Sequence, residues 1–380
     1  MENTAIDVAE ANRRMRVGGR RLVSVRKIDA IEDIPNADLI KAAVIGGWKV
    51  VVKAGEFQPG DLCVFFEIDS FLPADDPRYE FLLKNKTTWM GKEGIRLRTI
   101  RLRRALSQGL ALPLSSFPEI ESELKFVFDT FKATPQCDDP HYENMDFTDL
   151  LKVDKWEPPA LNAQLAGFAK GNFPSFGRKT DQERIENIKN EVFIKNKDSL
   201  FEVTLKLDGS SCSAYFKDGE VGVCSRNLEL KLSEENANNA FIETATRLNL
   251  LEALKKLGKN IMVSSELLGP GIQGNRENLA INDLFVFDIF DIDAGEYLSP
   301  KERIIIFNKL CKNGFTGKHI PILFESVKLS DIGVVDVASS KEFVKIKSIS
   351  NSIAEGCVFK RDDGQFSFKS INNDFLLAEK

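Results

Sequence analysis

The stretch Val203-Thr204-Leu205-Lys206-Leu207-Asp208-Gly209 alternates apolar and polar residues and ends in an Asp-Gly pair. Side chains of a β-strand point alternately to its two faces, so Thr204, Lys206 and Asp208 share one face. The pattern therefore predicts a strand that presents a lysine beside an aspartate and then enters a turn. Taken alone, a solvated strand that ends in a tight turn explains the same residues.

Five further motifs follow this strand in a fixed order. They are Ser225-Arg226-Asn227, Ser265-Glu266-Leu267-Leu268-Gly269, Phe285-Val286-Phe287-Asp288-Ile289, Glu355-Gly356-Cys357-Val358-Phe359-Lys360 and Phe366-Ser367-Phe368-Lys369. Together with the lysine strand, the series resembles, motif by motif, the covalent nucleotidyltransferase superfamily of polynucleotide ligases and capping enzymes. The resemblance extends from about Asp149 to Lys380 and favours a shared active site over a set of unrelated surface charges.

The flanking segments resemble RNA ligases that carry an OB-like module ahead of the catalytic domain. The segments concerned are Leu150 to Val153 with Glu157-Pro158-Pro159, and Phe173 to Phe176 with Lys179-Thr180-Asp181. DNA ligases and capping enzymes usually place an OB domain after the last motif, whereas only a short stretch follows Lys369. An ATP-dependent RNA ligase is the preferred interpretation. An atypical ATP-dependent DNA ligase and a non-catalytic OB-type RNA-binding protein are the alternatives.

Composition limits the chemistry that the chain can perform. Its 380 residues suit two domains, and no apolar run reaches the length of a membrane span. The six cysteines are scattered singly, and the only histidines are His141 and His319, which disfavours a zinc site or a histidine-centred triad. Catalysis must therefore rely on Lys, Arg, Asp and Glu. We expect a monomer in a reducing, intracellular and cytoplasmic environment, with no membrane partner.

The order of predicted elements indicates an α+β protein with two domains. Residues 1–150 are expected to form an OB-like β-barrel that binds nucleic acid, with strands at 21–25, 47–52 and 61–68 and a helical or loop extension. Residues 151–380 are expected to form the adenylyltransferase domain, with antiparallel sheets and flanking helices. Pro158-Pro159 marks a plausible joint.

Local signals predict the elements of the second domain. Thr180-x-x-Glu183 resembles a capping box and predicts a helix, and a longer helix is expected from about Asn239 to Gly258. A third is bracketed by Ser299-Pro300 and Gly314. Strands are expected at 202–208, 219–224, 261–267, 284–290 and 356–360, with hairpin turns at Asp218-Gly219 and Asp363-Gly364.

The resemblance implies that Lys206 is the catalytic nucleophile and carries AMP after reaction with ATP. A lysine amine attacks phosphorus only when it is neutral, so its pKa must fall from about 10.4. Cationic neighbours and one or more Mg²⁺ (or Mn²⁺) ions are expected to lower it. Asp208, Glu266 and Glu355 are the predicted metal ligands, because carboxylate oxygens suit Mg²⁺.

The remaining motif residues are expected to bind ATP or AMP. Phe287 would stack on adenine with Val358 on the opposite face, although an apolar run also suits a core position for Phe287. Glu266 is an alternative ligand of a ribose hydroxyl. The other implied nucleotide contacts are Arg184, Arg226, Asp288 and Lys369.

Two positions depart from the family pattern. Many relatives carry an acidic residue just before the nucleophilic lysine, where this chain has Leu205. That difference leaves open how adenine is selected. The last motif often contains two lysines, and here Ser367 takes the place of the first, so Lys369 alone remains to meet the triphosphate.

An arginine-rich segment is the predicted nucleic-acid contact of the first domain. It contains Arg96, Arg98, Arg101, Arg103 and Arg104, in a chain whose formal net charge is -5. A phase slip at Thr99 predicts a bulged strand. Arginine stems that cover apolar surface are the alternative. The expected substrate is RNA with 3'-OH and 5'-phosphate ends, held as a nicked duplex.

Overall fold

The computed structural model describes residues 21–132, 142, 145–157 and 167–378. The chain divides into two compact units, Met1–Pro159 and Ala160–Lys380. The predicted joint at Pro158-Pro159 lies outside the described residues, as do His141 and the first 20 positions. No helix among the described residues is both long and apolar enough to cross a membrane.

The first unit consists mainly of short antiparallel strands. Its elements are β1 Val23–Lys27, β2 Ala30–Asp33, β3 Ile40–Ile45, β4 Trp48–Lys53, β5 Leu62–Phe66, β6 Ser70–Pro73, β7 Thr87–Trp89, β8 Lys92–Arg96, β9 Ile100–Leu102, β10 Ala105–Ser107, β11 Leu110–Pro113, α1 Pro118–Lys132 and β12 Asp154–Lys155. The three strands predicted from sequence correspond to β1, β4 and β5, so those predictions are confirmed.

Three sheets of the first unit have the orders β1-β5-β11, β2-β3-β4 and β12-β6-β8-β7, and β9 pairs with β10. Buried Val25 lies opposite Val64 in the β1–β5 pair and packs in a core with Phe66 and Phe117. A second core surrounds Trp48. Strand β5 is buried on both faces, because Val64 and Phe66 pack in the first core and Cys63 and Phe65 pack in the second.

The arginine segment is not one bulged strand, and that prediction is wrong. β8 ends at Arg96, and a separate hairpin of β9 and β10 follows. Arg103 and Arg104 form its turn with φ of 50° and 70°, so the chain reverses direction there. A reversal needs left-handed backbone at the turn, and neither residue type signals that conformation in the sequence.

The two units also divide later than the boundary after Leu150 that the sequence predicts. Strand β12 pairs with β6, with Asp154 opposite Phe71 and Lys155 opposite Ser70. Residues 151–157 therefore belong to the first unit, because backbone pairing links Asp154 and Lys155 to its sheet.

The second unit contains two larger sheets and five helices among its described residues. Its elements are β13 Ala169–Asn172, β14 Glu183–Arg184, β15 Leu200–Lys206, β16 Ser210–Lys217, β17 Glu220–Cys224, β18 Leu228–Leu230, α2 Ala240–Arg247, α3 Leu250–Leu257, β19 Ile261–Leu268, β20 Asp283–Asp291, β21 Glu296–Tyr297, α4 Pro300–Lys312, β22 Lys318–His319, β23 Ile322–Lys328, α5 Val337–Phe343, β24 Gly356–Arg361, β25 Ser367–Ile371 and α6 Asn373–Ala378.

One sheet has the order β13-β18-β17-β16-β19-β20-β21, with β22 beside β20, and the other has the order β14-β25-β24-β15-β23. All five predicted strands are present. Both Asp-Gly turns are confirmed, since Asp218-Gly219 joins β16 to β17 and Asp363-Gly364 joins β24 to β25. Gly219 and Gly364 have φ of 89° and 77°, which glycine adopts at little cost.

The helix predictions have mixed outcomes. The helix between Ser299 and Gly314 is confirmed as α4, with a capping box at Ser299. The helix expected from Asn239 to Gly258 is interrupted, because Asn249 adopts φ of 60° and separates α2 from α3.

No α-helix follows Thr180, so that capping-box prediction is wrong. Glu183–Arg184 instead forms the short strand β14, which pairs in parallel with β25 and brings Arg184 opposite Lys369. Pairing with β25 satisfies backbone groups that a helix would otherwise satisfy internally. The apolar side chains of Ile185 and Val192 pack against Phe201 from a 3-10 turn and a π-helical turn.

Candidate active site

A pocket opens between the two sheets of the second unit. Strand β15 contributes Glu202, Thr204 and Lys206, whose side chains share one face, as period two requires. The other lining residues are Gln182, Leu205, Leu207, Glu266, Phe287, Arg303, Ile320, Val358 and Lys360. Four of the predicted nucleotide-site residues, Lys206, Glu266, Phe287 and Val358, therefore line one cavity.

Lys206 is partly buried and forms an ion pair with Glu355, with 2.7 Å between Nζ and Oε2. Burial favours the neutral amine, but surrounding carboxylates outweigh it and raise the pKa of Lys206, namely those of Glu355, Glu266 and Asp208. The pKa shift is thus opposite to the predicted lowering. The physical reason is that the negative charges of Glu355, Glu266 and Asp208 all stabilise the protonated amine.

Glu266 lies beside the lysine and accepts a hydrogen bond from the Gly209 backbone N–H, at 3.0 Å. Burial, with repulsion from Glu355 and Asp208, raises the pKa of Glu266 to about 7. The same carboxylate is therefore placed to receive a cation, because a positive charge would relieve both effects.

Asp208 pairs with a residue that the sequence analysis missed. Arg276 Nε lies 2.9 Å from Asp208 Oδ2, and the guanidinium stacks 4.3 Å from the centre of the Phe375 ring. No sequence signal links Arg276 to Asp208, because Asp208 belongs to the Lys206 motif and Arg276 lies outside all of the motifs.

The three predicted metal ligands suit Mg²⁺ in their chemistry but are not arranged as a ready ligand cluster. Among the residues that the structure describes, no group of three or more His, Cys, Asp or Glu has the spacing of a metal site. Glu355 is paired with Lys206, and Asp208 with Arg276. Hard carboxylate oxygens are nevertheless the donors that Mg²⁺ prefers.

Two glycines hold the backbone close to the lysine. A Cβ at Gly209 would approach the Leu267 carbonyl oxygen to 2.4 Å, and one at Gly356 would approach that of Ser370 to 2.1 Å. These contacts explain why the motifs on β15 and β24 include glycine: a larger side chain would push adjacent strands apart.

The apolar walls of the pocket come from opposite sheets. Phe287, on β20, is partly buried and lines the cavity, and Val358 lines it from β24. A planar ring and a branched aliphatic side chain on facing walls suit a flat aromatic ligand.

Lys369 and Arg226 both lie near one carboxylate, that of Asp181. Each places a side-chain nitrogen 3.6 Å from an Asp181 oxygen. Burial, reinforced by Lys206 and Arg184, lowers the pKa of Lys369 to about 8. Of the predicted nucleotide contacts, Lys369 and Arg226 are thus brought together at Asp181, and Arg184 lies opposite Lys369 in the sheet.

Asp288 is buried behind the pocket, where it forms an ion pair with Lys360. Lys360 lines the cavity, and burial lowers its pKa. Sequence reasoning also missed Glu202 and Arg303. The period-two rule could have found Glu202, which lies two and four residues before Thr204 and Lys206 on the same strand face.

The arginines of the first unit have different environments. Arg96 forms an ion pair with Asp69, at 2.9 Å, and its guanidinium lies 3.3 Å from the centre of the Trp156 ring. Arg98, Arg101, Arg103 and Arg104 are exposed. Arg96 therefore contributes to packing within its unit, whereas the other four present charge to solvent.

Comparisons with known proteins agree with this arrangement. A family model described as an OB-fold domain matches residues 22–114, and a model described as RNA ligase matches residues 199–371. The solved structure of Naegleria gruberi RNA ligase with PPi is 41% identical, with a TM-score of 0.73, covering 94% of this chain and 98% of that one. A search of curated proteins returned no match.

Mutant forms of the same Naegleria ligase were solved with nucleotides and metal. One with AMP and Mn has a TM-score of 0.74, and one with ATP and Mn has a TM-score of 0.73. Both are 41% identical and cover 94% of this chain and 98% of that one.

The OB-fold domain followed by a lysine-centred pocket between two sheets defines the chain as a polynucleotide ligase. More specifically, the chain belongs to the RNA ligase family. The predicted α+β fold class and the predicted enzyme class are thereby confirmed.

Proposed function

We propose that the chain is an ATP-dependent ligase that joins RNA 3'-OH and 5'-phosphate ends at nicks in a duplex, through AMP bound covalently to Lys206. The observation that carries the proposal is the position of Lys206 in one pocket with Phe287 and Val358. The amine of Lys206 would react with the α-phosphorus. Phe287 would stack on one face of the base, and Val358 would cover the opposite face. The ATP, AMP and Mn found with the Naegleria ligase support the same nucleotide chemistry.

The first step is attack of the neutral Lys206 amine on the α-phosphorus of ATP. A nitrogen–phosphorus bond forms while the bond to pyrophosphate breaks, and pyrophosphate leaves. The ammonium group must first lose a proton, for which Glu355 Oε2 offers an acceptor 2.7 Å from Nζ. Lys369, Arg184 and Arg226 supply positive charge to the phosphates.

Two transfers complete the reaction. An oxygen of the RNA 5'-phosphate attacks the AMP phosphorus, and the bond to Lys206 breaks, which restores the amine and creates an adenylylated 5' end. The RNA 3'-hydroxyl then attacks the 5'-phosphorus and releases its proton to solvent, and AMP leaves as the phosphodiester forms. Positioning of the two ends accounts for much of the rate expected of such a step.

Asp208, Glu266 and Glu355 would hold Mg²⁺ or Mn²⁺. Such an ion supplies charge neutralisation at the phosphates and lowers the pKa of a neighbouring ammonium group. Glu266 has two roles open to it, metal ligand or ribose contact, and its hydrogen bond from Gly209 leaves lone pairs for either.

Exposed arginines of the first unit are the proposed contacts to the duplex. Arg98, Arg101, Arg103 and Arg104 are suited to phosphate oxygens by charge and by their several donors. Arg96 is withdrawn from this set because Asp69 and Trp156 already engage it.

The test is incubation of the purified chain with ATP labelled at the α-phosphate and Mg²⁺, followed by a denaturing gel. Wild type should retain label, and Lys206→Ala should retain none. Lys259→Ala is the control because Lys259 is exposed and lies outside the pocket. Label that persists on Lys206→Ala at the wild-type rate would overturn the proposal.

The polynucleotide specificity is tested separately with four nicked duplexes in which the strand supplying each end is RNA or DNA. An RNA 3'-OH end should be sealed faster than a DNA one. Equal sealing of an all-DNA nick would favour DNA ligase activity instead.

A further inference from the structure

The pocket has an ordered series of cross-strand pairs along β15 and β24. Lys206 lies opposite Gly356, Thr204 opposite Val358, and Glu202 opposite Lys360. Four residues of strand separate Lys206 from Glu202, about 13 Å. If phosphate meets Lys206 and the base meets Val358, the far edge of the base reaches the pair that contains Glu202.

Glu202 belongs to a buried polar network that the catalytic steps above do not use. Its two carboxylate oxygens accept hydrogen bonds from Arg303 Nη2 at 2.5 and 2.7 Å. The exposed fractions of the Arg303 and Glu202 side chains are 1% and 4%, yet both residues line the pocket. Both are therefore buried residues of the cavity wall.

His319 orients this pair from behind. Arg303 Nε donates to His319 Nε2 at 3.0 Å, so Nε2 must be an unprotonated acceptor. Nδ1 then carries the proton and donates to the Ile320 carbonyl oxygen at 2.6 Å. Burial and the neighbouring Arg303 charge lower the pKa of His319 to about 4, which keeps the ring neutral. The Arg303 guanidinium is thus held from two sides, through Nε by His319 and through Nη2 by Glu202.

We propose that Glu202, held by Arg303, accepts a hydrogen bond from the exocyclic amino group of adenine and so selects ATP over 6-oxopurine nucleotides. The proposal rests on the function proposed above for the same pocket. It assigns to Glu202 the adenine selection that Leu205, an apolar residue before the lysine, cannot provide.

The chemistry of the pair favours this role. A carboxylate paired with a guanidinium offers its oxygens as hydrogen-bond acceptors. The 6-amino group of adenine donates, whereas the 6-oxo group of hypoxanthine or guanine would place one acceptor against another. A buried acceptor that faces another acceptor has lost its hydration and gains no hydrogen bond in return, which costs binding free energy. Sites of this kind therefore discriminate strongly between the two bases.

A role in stability alone is a weaker explanation for the pair. Buried ion pairs contribute little net stability compared with well-packed apolar residues of similar volume. Both members line the pocket, and Glu202 lies on the strand face that carries Lys206; ligand recognition explains this placement.

The experiment compares ATP with inosine triphosphate, each labelled at the α-phosphate, as kcat/KM for label transfer to the full chain. Wild type should prefer ATP by on the order of a hundredfold or more. Glu202→Gln should reduce that preference at least tenfold, because an amide can also donate to a 6-oxo group. Glu202→Gln/Arg303→Met should do the same without leaving an unpaired buried charge if the single variant folds poorly.

Glu229→Gln is the matched control, since Glu229 is also buried and hydrogen-bonded, to Tyr215 and Lys170, but does not line the pocket. Its preference for ATP should equal that of wild type. Folding of every variant is checked by thermal unfolding. An unchanged ATP preference in both Glu202 variants would overturn the inference and leave the ligase proposal intact.

Equilibrium binding of ATP and inosine triphosphate to Lys206→Ala measures discrimination without the covalent step. The covalent mechanism fails if wild type forms no adduct with AMP. The inference still stands in that case if Lys206→Ala binds ATP selectively and Glu202→Gln removes that selectivity. Equal binding of the two nucleotides to Lys206→Ala would overturn the inference.

Discussion

The pocket of the second unit and the arginine-rich segment of the first unit present charge in opposite ways. In the second unit, charged side chains such as Lys206, Glu355 and Arg303 are wholly or partly buried and paired at 2.5 to 2.9 Å. In the first unit, most of the arginine-rich segment is exposed on and around a short hairpin. Buried, paired charges are held in fixed positions and suit the binding of a small ligand. Exposed arginines suit contact with the regularly spaced phosphates of a nucleic acid. The difference predicts separate consequences for mutation in each unit.

The largest effect is expected at the carboxylates around Lys206. Asp208→Ala, Glu266→Ala and Glu355→Ala should each slow label transfer from ATP by about a hundredfold, or ~2.7 kcal/mol, because charge stabilisation at the phosphates is lost. Rates measured across a Mg²⁺ titration should show a higher metal requirement for any variant that retains activity.

Asp331→Ala serves as the control for lost negative charge, because Asp331 is exposed on a 3-10 turn. Its titration curve should match that of wild type. Unaltered curves for all three pocket variants would count against their role in metal binding.

A smaller, selective effect is expected from the first unit. Arg98→Ala, Arg101→Ala and Arg103→Ala together should reduce nick sealing by about tenfold while adenylylation of Lys206 changes little. Each lost phosphate contact should lower the slope of log binding constant against log salt by about 0.9 on B-form DNA, with a comparable value for RNA.

The charge-matched control replaces three exposed lysines of the same unit, Lys27, Lys53 and Lys84, with alanine. Sealing should be affected less by this control than by the arginine variant. Normal sealing and salt slope in the arginine variant would show that the duplex binds elsewhere.

A stability effect should accompany the close backbone approach in the catalytic unit. Gly209→Ala places a Cβ 2.4 Å from the Leu267 carbonyl oxygen and should lower the free energy of unfolding by ~1–3 kcal/mol. Gly171→Ala is the control, because a Cβ there has no atom within 4 Å. Urea unfolding measures both, and equal stabilities would mean that the strands can separate without cost.

The smallest effect concerns pH and His319. Burial lowers the pKa of His319 from 6.5 to about 4, so between these values the unfolded chain binds the proton and the folded chain does not. Stability should therefore fall as pH drops from 6.5 towards 4. His319→Gln should remove on the order of 1 kcal/mol of that fall, measured by urea unfolding at both pH values. Identical pH dependence in the two proteins would contradict the assignment.

The strands and the motif order were predictable because they depend on local periodicity. Alternation placed Lys206 on the face that β15 turns towards the pocket, and Asp-Gly pairs predicted two hairpin turns correctly. Start signals for helices were less reliable. The residues after Thr180 have capping chemistry, but pairing of Glu183–Arg184 with β25 took precedence.

The sequence by itself determined which residues of β15 share a face and in what order the motifs follow along the chain, because strand alternation is set by the backbone of each segment. Only the tertiary structure decided their partners: Arg303 and Glu202 are separated by 101 positions, and Arg276 and Asp208 have no motif in common. It also removed Arg96 from the exposed arginines by placing it against Trp156. Contacts between distant residues arise from how sheets and helices pack, which local patterns do not encode.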